Sequence, residues 1–161
     1  MTSLTGSIEL NRCNNTALRK AARRLSQAYD EILEPSGLKS TQLSILAEVD
    51  RRGDEPPTMK MLADALVMDR STLGQNIRPL ERDGLLALAD NRADGRSKLV
   101  VLTKMGKKKV AQAEIMWRTA QNVFEKKFGA KEAAALRTTL LEIATDVFPA
   151  RTPRGSSSNT Q

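Results

Sequence analysis

The sequence predicts a mainly α fold with one small β-hairpin, and three observations predict it. Apolar residues recur at three-and-four spacing through most of the chain, two short helical stretches meet across a tight turn, and one charged glycine-containing loop joins two short apolar runs. The 161 residues suit one compact domain; 40% are hydrophobic but only 3% aromatic, so the core is expected to be aliphatic.

The elements follow in order. Residues 1–9 are expected to be a flexible start. From Ala17 to Leu33, the apolar positions Leu18, Ala21, Ala22, Leu25, Ala28, Tyr29 and Ile32 keep helical spacing, and Pro35-Ser36-Gly37 stops the helix. A second helix is expected over Ser40–Arg51, with Leu43, Leu46, Ala47 and Val49 inward, ending before Gly53 and Pro56-Pro57. Thr58 is placed to cap a short helix, Met59–Leu66, whose stripe is read as Met61, Leu62, Ala65 and Leu66. Asp69 then caps another that runs to Asp83, with Gly84 just past its end. Two short helices across a tight turn have the pattern of a helix-turn-helix.

The period then changes. Leu85 to Ala89 and Leu99 to Leu102 read as strands around a charged turn containing Gly95, which makes a β-hairpin, and a helix-turn-helix followed by a hairpin is a winged helix. Thr103 caps a long helix to about Phe128, with Val110, Ala113, Trp117, Ala120, Phe124 and Phe128 in a nearly heptad rhythm. Gly129 ends it, and a last helix, about Lys131 to Phe148, carries Leu136, Leu140, Ile143 and Val147 on one face. The run 149–161 is rich in Pro, Gly and Ser and is expected to be a disordered tail.

Composition narrows the function. With no histidine, the chain lacks the commonest neutral-pH base and metal ligand, and no other acid-base or metal set converges, so no enzyme, cofactor or metal is expected. The net charge of +7 suits a polyanionic partner, and it is concentrated: residues 58–110 hold 11 basic and 6 acidic residues. One cysteine, no signal-peptide pattern and no run of apolar residues long enough for a membrane are what a soluble cytoplasmic protein would have.

In the second short helix, Leu73, Ile77 and Leu80 fall on one face, which leaves Ser71, Gln75, Arg78 and Arg82 opposite, Thr72 and Asn76 alongside, and Arg70 near the N-terminal edge. Hydroxyl, amide and guanidinium groups read base edges or grip phosphates in a major groove. Gly74 and Pro79 break helix rules: Gly74 is expected to let the backbone approach DNA, and Pro79 to bend the helix. In the wing, Arg92, Arg96 and Lys98 surround the turn. Arg96 suits a narrow minor groove, and Asp94 is expected to bond an arginine and fix the wing's shape.

Asp69-Arg-Ser-Thr-Leu through Leu80-Glu-Arg-Asp-Gly-Leu-Leu86, then Asp94-Gly-Arg-Ser-Lys98 and Leu102-Thr-Lys-Met-Gly106, resemble the MarR family of bacterial winged-helix regulators over about residues 10–148. The resemblance implies a homodimer on a palindromic double-stranded DNA operator, usually as a repressor. Residues 58–102 would be the DNA-binding lobe, and residues 10–57 and 103–148 mainly dimerisation helices. Asp94 and Arg96 match the family's wing pair, and Ser71, Thr72 and Gln75 its groove-contacting positions. Gly74 and Gln75 depart from the Thr and Arg that many members carry. The alternative is a winged helix used for protein interaction without sequence-specific DNA binding.

Two triggers stay open. Cys13, just ahead of the first helix, matches the oxidised cysteine of the family's peroxide-sensing branch, and the helix N-terminus and Arg12 would favour its thiolate; lone cysteines are more often inert. The family's effector cleft lies between the dimerisation helices and the DNA-binding lobe. There a small aromatic acid or thioester would meet Arg19, Arg23 or Arg24 on the first helix, with Tyr29 and Trp117 as walls, although such arginines are generally solvated.

Overall fold

A computed structural model describes residues 10–145, so the expected N-terminal segment 1–9, the tail 149–161, Val147 and Phe148 lie outside the described residues. The helices are α1 (Asn14–Leu33), α2 (Ser40–Arg51), α3 (Met59–Leu66), α4 (Arg70–Arg82), α5 (Lys104–Phe128) and α6 (Ala130–Thr145), with strands β1 (Leu86–Asp90) and β2 (Lys98–Leu102) between α4 and α5. Of the described residues, 10–123 belong to one compact unit and 124–145 to a second.

In the first unit, α2 is the central element, touched by α1, α3, α4 and β2. It therefore buries a wide arc, Leu43, Ile45, Leu46 and Val49. Ala47, expected inward, is exposed instead, because the buried arc is turned toward Ile45, on nearly the opposite side of the helix. The stripe of α3 is likewise one step off expectation. Leu62 and Ala63 are buried, with Met59 and Leu66 packed beside them, while Met61 and Ala65 face outward next to the Lys60–Asp64 ion pair at 2.8 Å. Leu73, Ile77 and Leu80 of α4 complete this core with Leu86 and Val100 of the hairpin.

Local chemistry sets the helix ends. Thr58 accepts the Met61 amide at 3.2 Å and Asp69 that of Thr72 at 2.8 Å, so both expected caps form. Between α3 and α4, Val67 turns the chain at φ 51°, a left-handed conformation that β-branched residues rarely adopt. Gly84, at φ 71°, ends α4, and the Leu85 amide returns to the Leu80 carbonyl at 2.9 Å. The helix continues through Pro79, whose missing N–H leaves only the Gln75 carbonyl without its partner, on the exposed side.

The hairpin is antiparallel, in register from Leu86 opposite Leu102 to Asp90 opposite Lys98. A contact the sequence does not announce widens it: the Val100 amide donates to the Pro57 carbonyl at 2.8 Å, which ties β2 to the segment entering α3. Thr103 closes the lobe. Its hydroxyl donates to the Gly84 carbonyl at 2.7 Å and accepts the Gly106 amide at 2.9 Å, joining the end of α4, the start of β1 and the first turn of α5.

In the second unit, Phe124 and Phe128 stack with ring centroids 4.7 Å apart, and Glu125 pairs with Arg137 of α6 at 3.7 Å. Gly129, at φ 93°, makes the turn between the two helices. Of the residues expected on one face of α6, Leu136 and Ile143 are exposed and Leu140 is half-buried.

Candidate nucleic-acid interface

Helix α4 is sharply two-sided. Leu73, Ile77 and Leu80 are at most 2% exposed, which holds the helix against the core and turns Ser71, Gln75 and Arg78 outward. Arg70 is exposed at the first position of the helix, and three other polar residues are engaged locally. Asp69 Oδ2 accepts the Thr72 hydroxyl at 2.7 Å, the Asn76 amide donates to the Thr72 carbonyl at 2.9 Å, and Arg82 reaches Asp83 at 3.2 Å. The amide and hydroxyl of Thr72 hold the Asp69 carboxyl below its usual range, so the cap stays ionised at the helix's positive end.

Gly74 sits at the edge of the outward strip. A Cβ placed there would meet nothing within 4 Å, and the backbone is not left-handed, so neither packing nor conformation requires glycine.

The wing is folded by its own side chains. Asn91 donates to the Ser97 hydroxyl at 2.9 Å and accepts the Ala93 amide at 3.0 Å. Asp94 does fix the shape of the turn, but by a different bond from the one expected: its carboxylate accepts the backbone amide of Arg96 at 3.1 Å rather than a guanidinium. The side chain of Arg96 is thereby left exposed, as is Arg92. Lys98 is drawn back to Asp90 across the hairpin, and that ion pair holds the Asp90 carboxyl below its usual range.

A cavity of about 490 Å³ opens between α1, α2 and α5. Tyr29, Leu33, Leu43, Ala47, Val110 and Trp117 give it apolar walls, and Ser40, Ser44, Asp50, Arg51 and Glu114 a polar side. Tyr29 donates to Gln121 at 2.6 Å, and Asp30 caps α2 by accepting the Ser40 amide at 2.6 Å, so the α1–α2–α5 frame is held by polar bonds at the cavity's edge. Of the effector candidates, Tyr29 and Trp117 line it, while Arg23 lies exposed on α1 two turns before Tyr29 and does not. The lining cation is Arg51, held by Glu48 at 2.8 Å. Cys13 stands elsewhere, half-buried as the residue that precedes α1. Thr16, through its hydroxyl and amide, lowers the thiol pKa.

Residues 36–97 match the model of the MarR family. The uncharacterized HTH-type transcriptional regulator YwoH of Bacillus subtilis strain 168 is 34% identical over 98 residues, spanning 61% of this chain and 69% of that protein. The M. tuberculosis transcriptional regulator MosR, solved in complex with DNA, is 33% identical, with a TM-score of 0.73 over 82% of this chain and 93% of that one. The chain belongs to the MarR family. CouR from Rhodococcus jostii RHA1, solved with p-coumaroyl-CoA, has the same fold at 22% identity, with a TM-score of 0.74 over 89% of this chain and 100% of that one.

The family and fold are those of transcriptional regulators rather than of enzymes. No described helix of this MarR-family chain is long and apolar enough to cross a membrane. The polar side of the cavity is what sequence reasoning missed. A signal was present: Ser40, Ser44, Ala47 and Arg51 recur at i, i+4, i+7 and i+11, one face of α2.

Proposed function

We propose that this MarR-family protein is a dimeric, cytoplasmic, sequence-specific DNA-binding repressor, released from a palindromic operator by a small molecule in the Tyr29–Trp117 cavity or by oxidation of Cys13. The observation that carries the reading is the two-sided α4, its apolar residues sealed in the core and Ser71, Gln75 and Arg78 exposed, beside a preformed wing with Arg92 and Arg96 free. Helix α4 enters the major groove with Arg70, Ser71, Thr72, Gln75, Asn76 and Arg78. Arg92, Arg96 and Lys98 meet the adjacent minor groove and phosphates, with Asp94 holding the wing turn. The structure of MosR with DNA supports this reading.

Exposed apolar residues on three helices support the dimer: Ala17, Ala21 and Ala22 on α1, Ile115 and Val123 on α5, and Leu136, Leu141 and Ile143 on α6. Two-fold symmetry then sets the α4 helices about 34 Å apart, one DNA turn. The cavity, lined by the aromatic rings of Tyr29 and Trp117, suits a small aromatic acid or thioester. For an acid the cation at hand is Arg51, whose Nε and Nη2 already bond Glu48 and whose remaining N–H donors are left for a ligand.

The test is titration of duplex DNA at rising salt. Binding that weakens steeply with salt and prefers one sequence over random duplex is expected. Binding blind to sequence would leave only the protein-interaction reading. A monomer in sedimentation at micromolar concentration would overturn the dimer. Trp117 is the chain's single tryptophan, so its fluorescence reports directly on whether an aromatic compound enters the cavity.

A further inference from the structure

The geometry points to Gln75 as the residue that selects an A·T base pair in each half-site, an assignment that rests on the regulator reading above and adds which base chemistry α4 reads. Hydrogen bonding within the free protein already divides the helix. Thr72 is closed onto Asp69, Asn76 onto the Thr72 carbonyl and Arg82 onto Asp83, so these side chains are already oriented and partly committed within the free protein. Ser71, Gln75 and Arg78 are the exposed residues of the outward strip without such a bond. At about 100° per residue they lie within roughly 60° of one another, facing a single direction.

These three differ in what they can distinguish. A hydroxyl donates and accepts with little base preference, and an arginine near the helix end grips phosphate as readily as a base. A carboxamide carries a donor and an acceptor in one plane at the separation of adenine N7 and N6–H, the pair of groups that adenine alone presents in the major groove. Gln75 is the exposed, uncommitted carboxamide on this strip.

Gly74 makes the short side chain sufficient. Nothing in the fold requires glycine there, since a Cβ would meet no atom within 4 Å, yet glycine weakens the helix by about 1 kcal/mol relative to alanine. The missing methyl group lies beside Arg78 at the edge of the strip, where it lowers the helix surface and lets the backbone of α4 come closer to the base edges.

The experiment is selection from random-sequence duplexes with the full chain as wild type, Gln75→Ala and Gln75→Arg. Wild type is expected to enrich a symmetric site with an A·T pair at one position of each half, and 7-deazaadenine at that position should weaken binding roughly 5- to 150-fold. Gln75→Arg should move the preference at that position to G·C, and Gln75→Ala should flatten it, each leaving the other positions unchanged. Helical circular dichroism of both variants should match wild type, because the side chain is exposed. An enriched site whose base preferences survive both substitutions, or which tolerates 7-deazaadenine at every A·T pair, overturns the assignment and leaves the regulator reading standing. A wild-type chain that enriches no sequence overturns both.

Discussion

Gly106, in the first turn of α5, lies against the Leu85 carbonyl so closely that a Cβ on it would stand 2.1 Å from the oxygen. The next atom in the way, Leu102 Cδ1, would be 2.6 Å off. Backbone cannot yield as a flexible side chain can. Gly106→Ala is therefore expected to destabilise the protein by about 1–3 kcal/mol, the usual penalty of overpacking, seen as a lower melting temperature. An unchanged melting temperature would contradict the contact.

Gly74→Ala is expected to behave in the opposite way. The added methyl group meets open space and removes a helix-weakening residue, so the melting temperature should rise, by about 0.5–1 kcal/mol in stability. The same methyl group lies where duplex DNA is proposed to approach, so gel-shift affinity for a selected duplex should fall. A variant that is more stable and binds equally well would remove the close approach from the account.

Helix ends were legible in the sequence because caps are short-range chemistry. Thr58, Asp69 and Gly84 each act on atoms within a few residues, and each sits where expected. The phase of α3 was not legible, since six of its eight residues are apolar and any of several stripes could be drawn; the Lys60–Asp64 pair marks its outer face only once the core is known. Long-range pairing was equally hidden. Nothing near Pro57 signals that its carbonyl will take the Val100 amide. At the site, the outward residues of α4 followed from the burial of Leu73, Ile77 and Leu80, whereas only the α2 side of the cavity left a local pattern, and its closure by α1 and α5 depends on packing between helices distant in sequence.

Cys13 should react with iodoacetamide faster than an ordinary thiol near neutral pH, because hydrogen bonds from Thr16 favour its thiolate. Thr16→Ala removes the hydroxyl that contributes most, so the pH midpoint of alkylation should move up and the rate at neutral pH should fall. Equal midpoints in the two proteins would remove Thr16 from the account.

Glu48 gives stability a pH dependence of known sign. Hydrogen bonds from Arg51 and, after burial is set against them, from Arg52 hold its carboxyl below the usual glutamate value. A depressed folded-state pKa means that the contribution is present above the ordinary value and is lost as pH falls through the lowered one. Glu48→Gln should therefore have a lower urea midpoint than wild type at neutral pH, and the gap should close in acid below the lowered pKa. A gap of constant size would mean that the lost contacts were not ionic.

The Thr103 hydroxyl has a mechanical consequence. Because it is bonded to both Gly84 and Gly106, the end of α4, the root of the wing and the first turn of α5 are tied together at a single side chain. A shift of that part of α5 is therefore expected to pull on the end of the helix and the root of the wing together, through one hydroxyl.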